Sequence, residues 1–225
     1  MAIRADTLFC FDARGRMLHS NEPSGRPAPR LFLGRTLEGD VVRFGASVPD
    51  TVARRLEEIV ERLPPIADLS APPPSLDVLR EALTQHAPVA VMGGGPAYRF
   101  PASIAALANV VQLTDANRDL VRDTFPFLYD ELAGRQPCFA VLDDGAAVAV
   151  CISSRNGADA AEAGVETLAA YRGRGHAAAV TAAWGAAIRE SGRIPLYSTA
   201  WENLASQGVA RSVGLIVFGA DISWG

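Results

Sequence analysis

Chemistry is suggested first by the run Arg172-Gly173-Arg174-Gly175-His176-Ala177. Glycines carry no Cβ to hold a ligand off the backbone, so successive N–H groups can converge there on an anion. A helix that begins at the second glycine adds unsatisfied amides and the positive end of its dipole. Such a turn can cradle a diphosphate, and its other reading is a plain strand-to-helix reversal. A Walker-type loop is excluded, because all 21 basic residues are arginine and no G-x-x-x-x-G-K-S/T run occurs. The dinucleotide fingerprint G-x-G-x-x-G fails as well. Ala178 stands where its third glycine belongs, and no acidic residue about twenty positions further on closes a second strand.

The turn has to be held by the elements on either side. Cys138 to Leu142 and Ala147 to Ser153 are nearly continuous apolar runs around Asp143-Asp144-Gly145, which predicts a hairpin of buried strands. A third strand over Gly164 to Leu168 leads into the turn, and an alanine-rich helix leaves it, from about Gly175 to Ser191, with Gly192 as its stop. A strand at Ile194 to Ala200, a helix at Leu204 to Val213 and a last strand at Leu215 to Ser223 complete this half.

Together these features resemble the GNAT superfamily of acetyl-CoA-dependent N-acetyltransferases. The glycine turn matches its R/Q-x-x-G-x-G/A signature, the hairpin and strand precede it in the family's order, and Asn203 with Gly214-Leu215 resembles its tail motif. The resemblance runs from Gln136 to Trp224 and leaves the amino-terminal half unassigned. It implies a mixed, mostly antiparallel sheet flanked by helices, an α+β arrangement within the broad α/β class. The strand before the turn and the strand after the helix would splay apart into a CoA cleft. It further implies that Arg172, Gly173, Arg174, Gly175, His176 and Ala177 bind the CoA pyrophosphate. The edge of Val165, Glu166 and Thr167 would pair with the pantetheine arm, and Asn203 would support the cofactor or cap the next helix.

The reaction so implied is direct attack of a neutral amine on the acetyl-CoA thioester, helped by proximity and a polarised carbonyl. A base must take the amine proton, and an acid can serve the departing thiolate. Both usual groups are missing. Many members carry a tyrosine four residues before the tail glycine, where this chain has Ala210, and some carry a glutamate at the position of Ser198. The candidate replacements are Glu166 as base, with a solvated strand residue as the plain alternative, and Ser206 as a hydroxyl for the thiol. Ser212, Glu202 and Tyr171 lie in the same region, and His176 has a suitable titration range but sits inside the phosphate turn. Tyr197, one position from the expected base, points to the opposite sheet face and reads as core. The acceptor would be a small-molecule amine or a protein amino group.

The amino-terminal half reads as a small α+β unit that could cap the acceptor site, giving an expected division at 1–112 and 113–225. Two hairpins, Thr7 to Leu18 and Arg30 to Phe44, precede a helix capped by Asp50 and a second helix from Ser75 to His86. Pro88 to Met92 reads as a strand that Gly93-Gly94-Gly95-Pro96 breaks, with Tyr98, Arg99 and Phe100 beyond it as possible pocket residues. Thr114 to Arg135 is amphipathic and helical, divided at Pro126.

A net charge of -4 argues against non-specific nucleic-acid binding. Three scattered cysteines and three histidines, without C-x-x-C or H-x-x-x-H spacing, predict neither disulfides nor a metal. With no long apolar run and no leader-like start, a cytoplasmic protein away from the membrane is expected.

Overall fold

The computed structural model describes residues 1–69, 71, 76–89, 92–104 and 109–225. In chain order its helices are α1 (Ala2–Leu8), α2 (Asp50–Val60), α3 (Asp77–His86), α4 (Pro126–Glu131), α5 (His176–Glu190) and α6 (Leu204–Val213). Its strands are β1 (Phe9–Phe11), β2 (Met17–Ser20), β3 (Leu31–Thr36), β4 (Gly39–Phe44), β5 (Met92–Arg99), β6 (Val111–Leu113), β7 (Cys138–Asp143), β8 (Ala146–Asn156), β9 (Ala160–Thr167), β10 (Ile194–Ser198) and β11 (Ile216–Trp224). They fall into two compact units. One is Met1–Ala97 with Ser198–Asn203 and Val217–Gly225, and the other is Tyr98–Tyr197 with Leu204–Ile216. No single cut along the chain separates them, since the last strand and the loop after β10 return to the amino-terminal unit.

In the amino-terminal unit the strands lie in the order β4, β3, β11, β5. β11 pairs antiparallel with β3 from Ala220↔Arg35 to Trp224↔Leu31, and β3 pairs with β4 from Leu31↔Phe44 to Thr36↔Gly39. Leu56 and Val60 of α2 and Leu79 and Leu83 of α3 pack against Leu31, Leu33, Ile222 and Trp224 of this sheet. Truncation of a leucine in such a core to alanine costs about 2–5 kcal/mol. Inside the sheet, Arg35 is buried and makes an ion pair with Asp40 at 3.0 Å while it donates to the Pro64 carbonyl at 2.6 Å.

Several expectations are corrected here. Residues 2–8 are helical, so the first hairpin begins at Phe9, and Thr7 returns its hydroxyl to the Ile3 carbonyl. Asp50 is not the N-cap of α2. Pro49 occupies that place, and the Asp50 carboxylate accepts from Arg16. Helix α3 begins at Asp77, while the expected start at Ser75 and the prolines before it lie outside the described residues. So do residues 90 and 91 of the expected strand over Pro88 to Met92.

The largest change is at Gly93-Gly94-Gly95-Pro96, which does not break a strand but forms half of β5. The cause is close main-chain approach. A Cβ on Gly94 would run into the Asp221 carbonyl oxygen and lie 3.0 Å from Ile222 Cα. One on Gly95 would run into the Thr199 carbonyl and lie 2.9 Å from Ala200 Cα. Glycine within a strand marks such approaches.

The second unit is built on the strand order β10, β9, β8, β7, β6. β6 to β9 are antiparallel neighbours, and β10 joins β9 in parallel. Alternation along β8 gives the sheet two buried faces. Val150 and Ile152 join Leu113, Val121, Phe125, Leu128 and Leu132. Ser153 turns the other way and accepts a hydrogen bond at 3.1 Å from the indole of Trp184, which is fully buried on α5. Phe100 packs against Trp184 with ring centroids 5.8 Å apart and fills the space that a side chain at Gly185 would need. Tyr98 and Phe100 are therefore core residues of this unit, and Arg99 is exposed. The expected helical stretch over Thr114 to Arg135 is three short pieces, with Pro126 opening α4 at its first turn. β6 had no clear sequence signal.

Candidate functional site

Strand β9 is paired along its whole length on one edge and along only part of the other. Toward β8 it pairs from Thr167↔Ala149 to Asn156↔Ala161. Toward β10 the parallel pairs are Ala160↔Ile194, Ala161↔Pro195 and Glu162↔Leu196, and there they stop. Residues 163–167 thus present an open strand edge, about 16 Å long at the usual rise per residue. Pairing between the strand before the turn and the strand after the helix thus ends partway along both.

A local cause lies in β8. Its register with β9 shifts between Ser153 and Arg155, and the Ser154 hydroxyl donates to the Glu162 carbonyl at 3.0 Å. An extra residue of this kind bends and twists a strand pair, here at the level where the β9–β10 pairing ends. On the open edge Glu166 is exposed, whereas Val165 and Thr167 are half-buried. The Thr167 hydroxyl oxygen is buried and has no hydrogen-bond partner among the described residues.

After Thr167 the chain makes a short 3-10 turn at Ala169–Tyr171, and Arg172 is extended. Gly173 has φ +75° and Gly175 φ +81°, left-handed conformations that strain any residue with a Cβ. No atom would lie within 4 Å of a Cβ at either position, so backbone conformation rather than crowding calls for glycine, and the space above the turn is open. Gly175 is the N-cap of α5, whose first main-chain bond runs from the Ala179 amide to the Gly175 carbonyl at 3.1 Å. Among the described residues, the amides of Gly173 to Ala178 donate to no main-chain carbonyl. Six successive donors at a helix start are suited to an anion.

Charge surrounds the same turn. Arg172 donates through Nε to the Thr167 carbonyl at 3.3 Å, and Arg174 donates to the Ala170 carbonyl at 3.1 Å. The Arg174 guanidinium also lies 5.1 Å from the centre of the Tyr171 ring. Both arginines remain exposed, and His176 and Ala177 are half-buried at the start of α5. Tyr171 donates to Asp143 at 2.8 Å, and this hydrogen bond holds its phenol pKa above the ordinary value. It is engaged away from the open edge.

Helix α6 carries the remaining candidates. Ser206 is half-buried, and its Oγ lies 2.5 Å from the hydroxyl of Tyr197 on β10. Tyr197 is core, as its strand parity predicts, yet its hydroxyl is committed to Ser206. Burial pushes its pKa up to about 12, against the lowering effect of the Ser206 hydrogen bond. Ser212 donates back to the Gly208 carbonyl, and Ala210 is fully buried. Gly214, at φ +75°, ends the helix. Asn203 is exposed just before α6, in a loop that belongs to the amino-terminal unit, as do Ser198 and the exposed Glu202.

Sequence reasoning missed two features. Glu162, at the last paired position of β9, is almost fully buried, although nothing in its spacing distinguishes it from Glu166. The contact between Tyr197 and Ser206 depends on how α6 packs, which spacing does not encode. Burial raises the Cys138 thiol to about 12 and the Cys151 thiol well above its ordinary value, so neither is a ready thiolate nucleophile. Among the described residues no three His, Cys, Asp or Glu side chains stand together as a metal site, and no helix is long and apolar enough to cross a membrane.

The family model of GNAT acetyltransferases matches residues 127–218. An acetyltransferase of the GNAT family from Colwellia psychrerythraea is 10% identical in structural alignment, covering 96% of this chain and 79% of that one at a TM-score of 0.51. A GNAT-family acetyltransferase from Novosphingobium aromaticivorans is 18% identical and covers 60% of this chain at a TM-score of 0.47, and this chain spans 65% of its length. An aminoglycoside N-acetyltransferase solved in complex with CoA is 23% identical, covering 47% of this chain and 89% of that one at a TM-score of 0.36. No curated protein sequence matches the chain. At these identities the structural likeness speaks to fold, and the Colwellia protein shares it over nearly the whole chain.

Proposed function

We propose that residues 127–218, which match the family model of GNAT acetyltransferases, form an acyltransferase domain that transfers an acetyl group from acetyl-CoA to an amine. The observation that carries the proposal is the open edge of residues 163–167 leading into six unpaired amides at residues 173–178. The diphosphate of CoA binds at that turn, where Gly173 and Gly175 shape the backbone and Arg172 and Arg174 add charge beside His176 and Ala177. The pantetheine arm lies along Val165, Glu166 and Thr167 as an added strand. An amide on this edge then donates to the thioester oxygen and stabilises the charge that develops there.

A neutral amine attacks the carbonyl carbon, the C–S bond breaks, and its electron pair leaves with the CoA sulfur. Glu166, exposed on the open edge, takes the amine proton directly or through water. Ser206 serves the leaving sulfur. The acceptor is a small-molecule amine or a protein amino group, the reaction needs no metal, and a cytoplasmic acetyl-CoA pool supplies the donor.

Calorimetry with CoA tests the donor site, and absence of heat at millimolar ligand removes the proposal. Ala210, buried where the resemblance expects an acidic hydroxyl, favours a second reading as a non-catalytic acyl-CoA-binding sensor. Thiol release from acetyl-CoA across a panel of primary amines separates the two. Turnover above background supports the enzyme, and binding without turnover supports the sensor.

A further inference from the structure

Pairing of β9 with β10 ends at Glu162 and Leu196, so Ala163 and Tyr197 are the first residues beyond that junction. A donor anchored by its diphosphate at the 172–177 turn runs back along the open edge from Thr167 toward Ala163. Its thioester, at the far end of the pantetheine arm, therefore arrives near the junction. The carbonyl carbon is planar, with its oxygen on a β9 amide and its sulfur directed back toward the turn. Its third substituent, the acyl chain, is then aimed at the junction itself.

Side chains fill both faces of the sheet there. Glu162 and Leu196 are paired and share one face, which places Ala163 and Tyr197 on the other. On the second face Tyr197 is 2% exposed. Ala163 is buried too, and its partner on β8 is Ser153, which accepts from the fully buried Trp184. The Tyr197 ring is fixed at both ends. Tyr98 meets it edge-on with centroids 6.0 Å apart, and its hydroxyl donates to the Ser206 main-chain oxygen at 3.2 Å. On the first face Leu196 is buried, and Glu162 sets a buried carboxyl group there, a costly neighbour for an alkyl chain.

Resting on the acetyl-transfer reading above, we infer that Tyr197 is the end wall of the acyl pocket and restricts the donor to the shortest acyl chains. The small side chain of Ala163 leaves what room there is beside the ring, and an acetyl group carries one carbon beyond its carbonyl. Each further methylene has to be placed against a ring that cannot swing. The core behind it does not yield either, since Phe100 packs on Trp184 and occupies the space beside Gly185. One extra methylene in such a pocket lowers reactivity by about 10- to 200-fold. Tyr197 takes no part in the bond changes, which are the same for every chain length. The C–S electron pair leaves with sulfur, the amine nitrogen bonds to the acyl carbon, and the amine proton goes to Glu166 or water.

The test is thiol release from acetyl-, propionyl-, butyryl- and hexanoyl-CoA, with the primary amine that gives the highest wild-type turnover. Wild type is compared with Tyr197→Phe, Tyr197→Leu and Tyr197→Ala. Expected for wild type is a kcat/KM that falls at least about tenfold with each added methylene, so that butyryl-CoA is about a hundredfold poorer than acetyl-CoA. Tyr197→Phe keeps the ring and with it this order of donors. Tyr197→Ala removes the wall and should raise butyryl-CoA relative to acetyl-CoA at least about tenfold. Tyr197→Leu should act in the same direction to a smaller extent, and it stands in if the alanine variant unfolds. A merely structural role for the ring would lower all four donors alike. A wild type that uses butyryl- and hexanoyl-CoA as well as acetyl-CoA overturns the inference, and so does a folded Tyr197→Ala or Tyr197→Leu with the wild-type order. In either case turnover leaves acyl transfer standing. A wild type that releases no thiol from any of the four donors removes the transfer reading and this inference with it.

Discussion

Two glycine-rich stretches look alike in the sequence and do opposite things in the fold. At Gly94 and Gly95 the missing Cβ atoms are replaced by main chain from Asp221 to Ile222 and from Thr199 to Ala200. At Gly173 and Gly175 nothing fills the space, and the backbone itself is left-handed. One stretch closes a core and the other keeps a surface open. A glycine therefore says that something excludes a side chain, and only the fold says whether that is neighbouring backbone or the dihedral angle.

The widest separation between the two stretches should come from stability. Gly95→Ala puts a methyl group into main-chain atoms that belong to a loop with its own hydrogen bonds, from the Thr199 amide to the Pro96 carbonyl and from the Trp201 amide to the Gly94 carbonyl, both at 3.4 Å. A rigid neighbour of this kind cannot yield cheaply, and a loss of about 3 kcal/mol is expected in urea unfolding. A loss under about 1 kcal/mol would mean that the loop moves aside freely and that close approach is not what glycine serves here.

At the open stretch, Gly173→Val with Gly175→Val should cost only the dihedral strain, about 1–2 kcal/mol for each position, and leave the unfolding transition cooperative. CoA binding should fall by about a hundredfold, or 2.7 kcal/mol, because the amides of residues 173–178 turn away from a common anion. Retained CoA affinity in the folded double variant would show that the diphosphate sits elsewhere. Smaller again is the effect of charge. Arg172→Ala with Arg174→Ala should weaken CoA about tenfold at low salt and less at high salt, since both guanidiniums are exposed and screened. A loss independent of salt would instead assign them the main-chain contacts with Thr167 and Ala170 as their chief role.

The same contrast explains what was legible beforehand. The turn could be read because its requirements are local: two glycines with positive φ, a strand ending at Thr167 and a helix starting at His176 lie within about three turns of chain. The hairpin of β7 and β8 was equally local, with its apolar runs and its Asp143-Asp144-Gly145 turn. β5 was misread because its reason lies over a hundred residues away, at Thr199 and Asp221. The pairing of β11 with β3, which joins Trp224 to Leu31, has the same non-local origin. At the candidate site, spacing located the strand ending at Thr167 and the glycine turn after it but not Glu162 or the Tyr197–Ser206 contact, since packing decides which carboxylate is buried and which hydroxyls meet.

Gly93→Ala supplies the smallest effect and the sharpest control. Gly93 belongs to the same run as Gly95, is exposed, and among the described residues has nothing within 4 Å of where its Cβ would stand. Its φ is not left-handed either, so alanine there meets neither of the constraints that act at Gly95 and at Gly175. What alanine does change is the unfolded chain, which loses freedom, and the expected outcome is unchanged stability or a gain of about 0.5 kcal/mol. Measured beside Gly95→Ala in the same urea series, a near-zero value assigns the cost at Gly95 to main-chain crowding. A loss at Gly93 comparable to that at Gly95 would instead mean that the whole run needs glycine for its flexibility, and the distinction between a closed and an open stretch would fail at its first step.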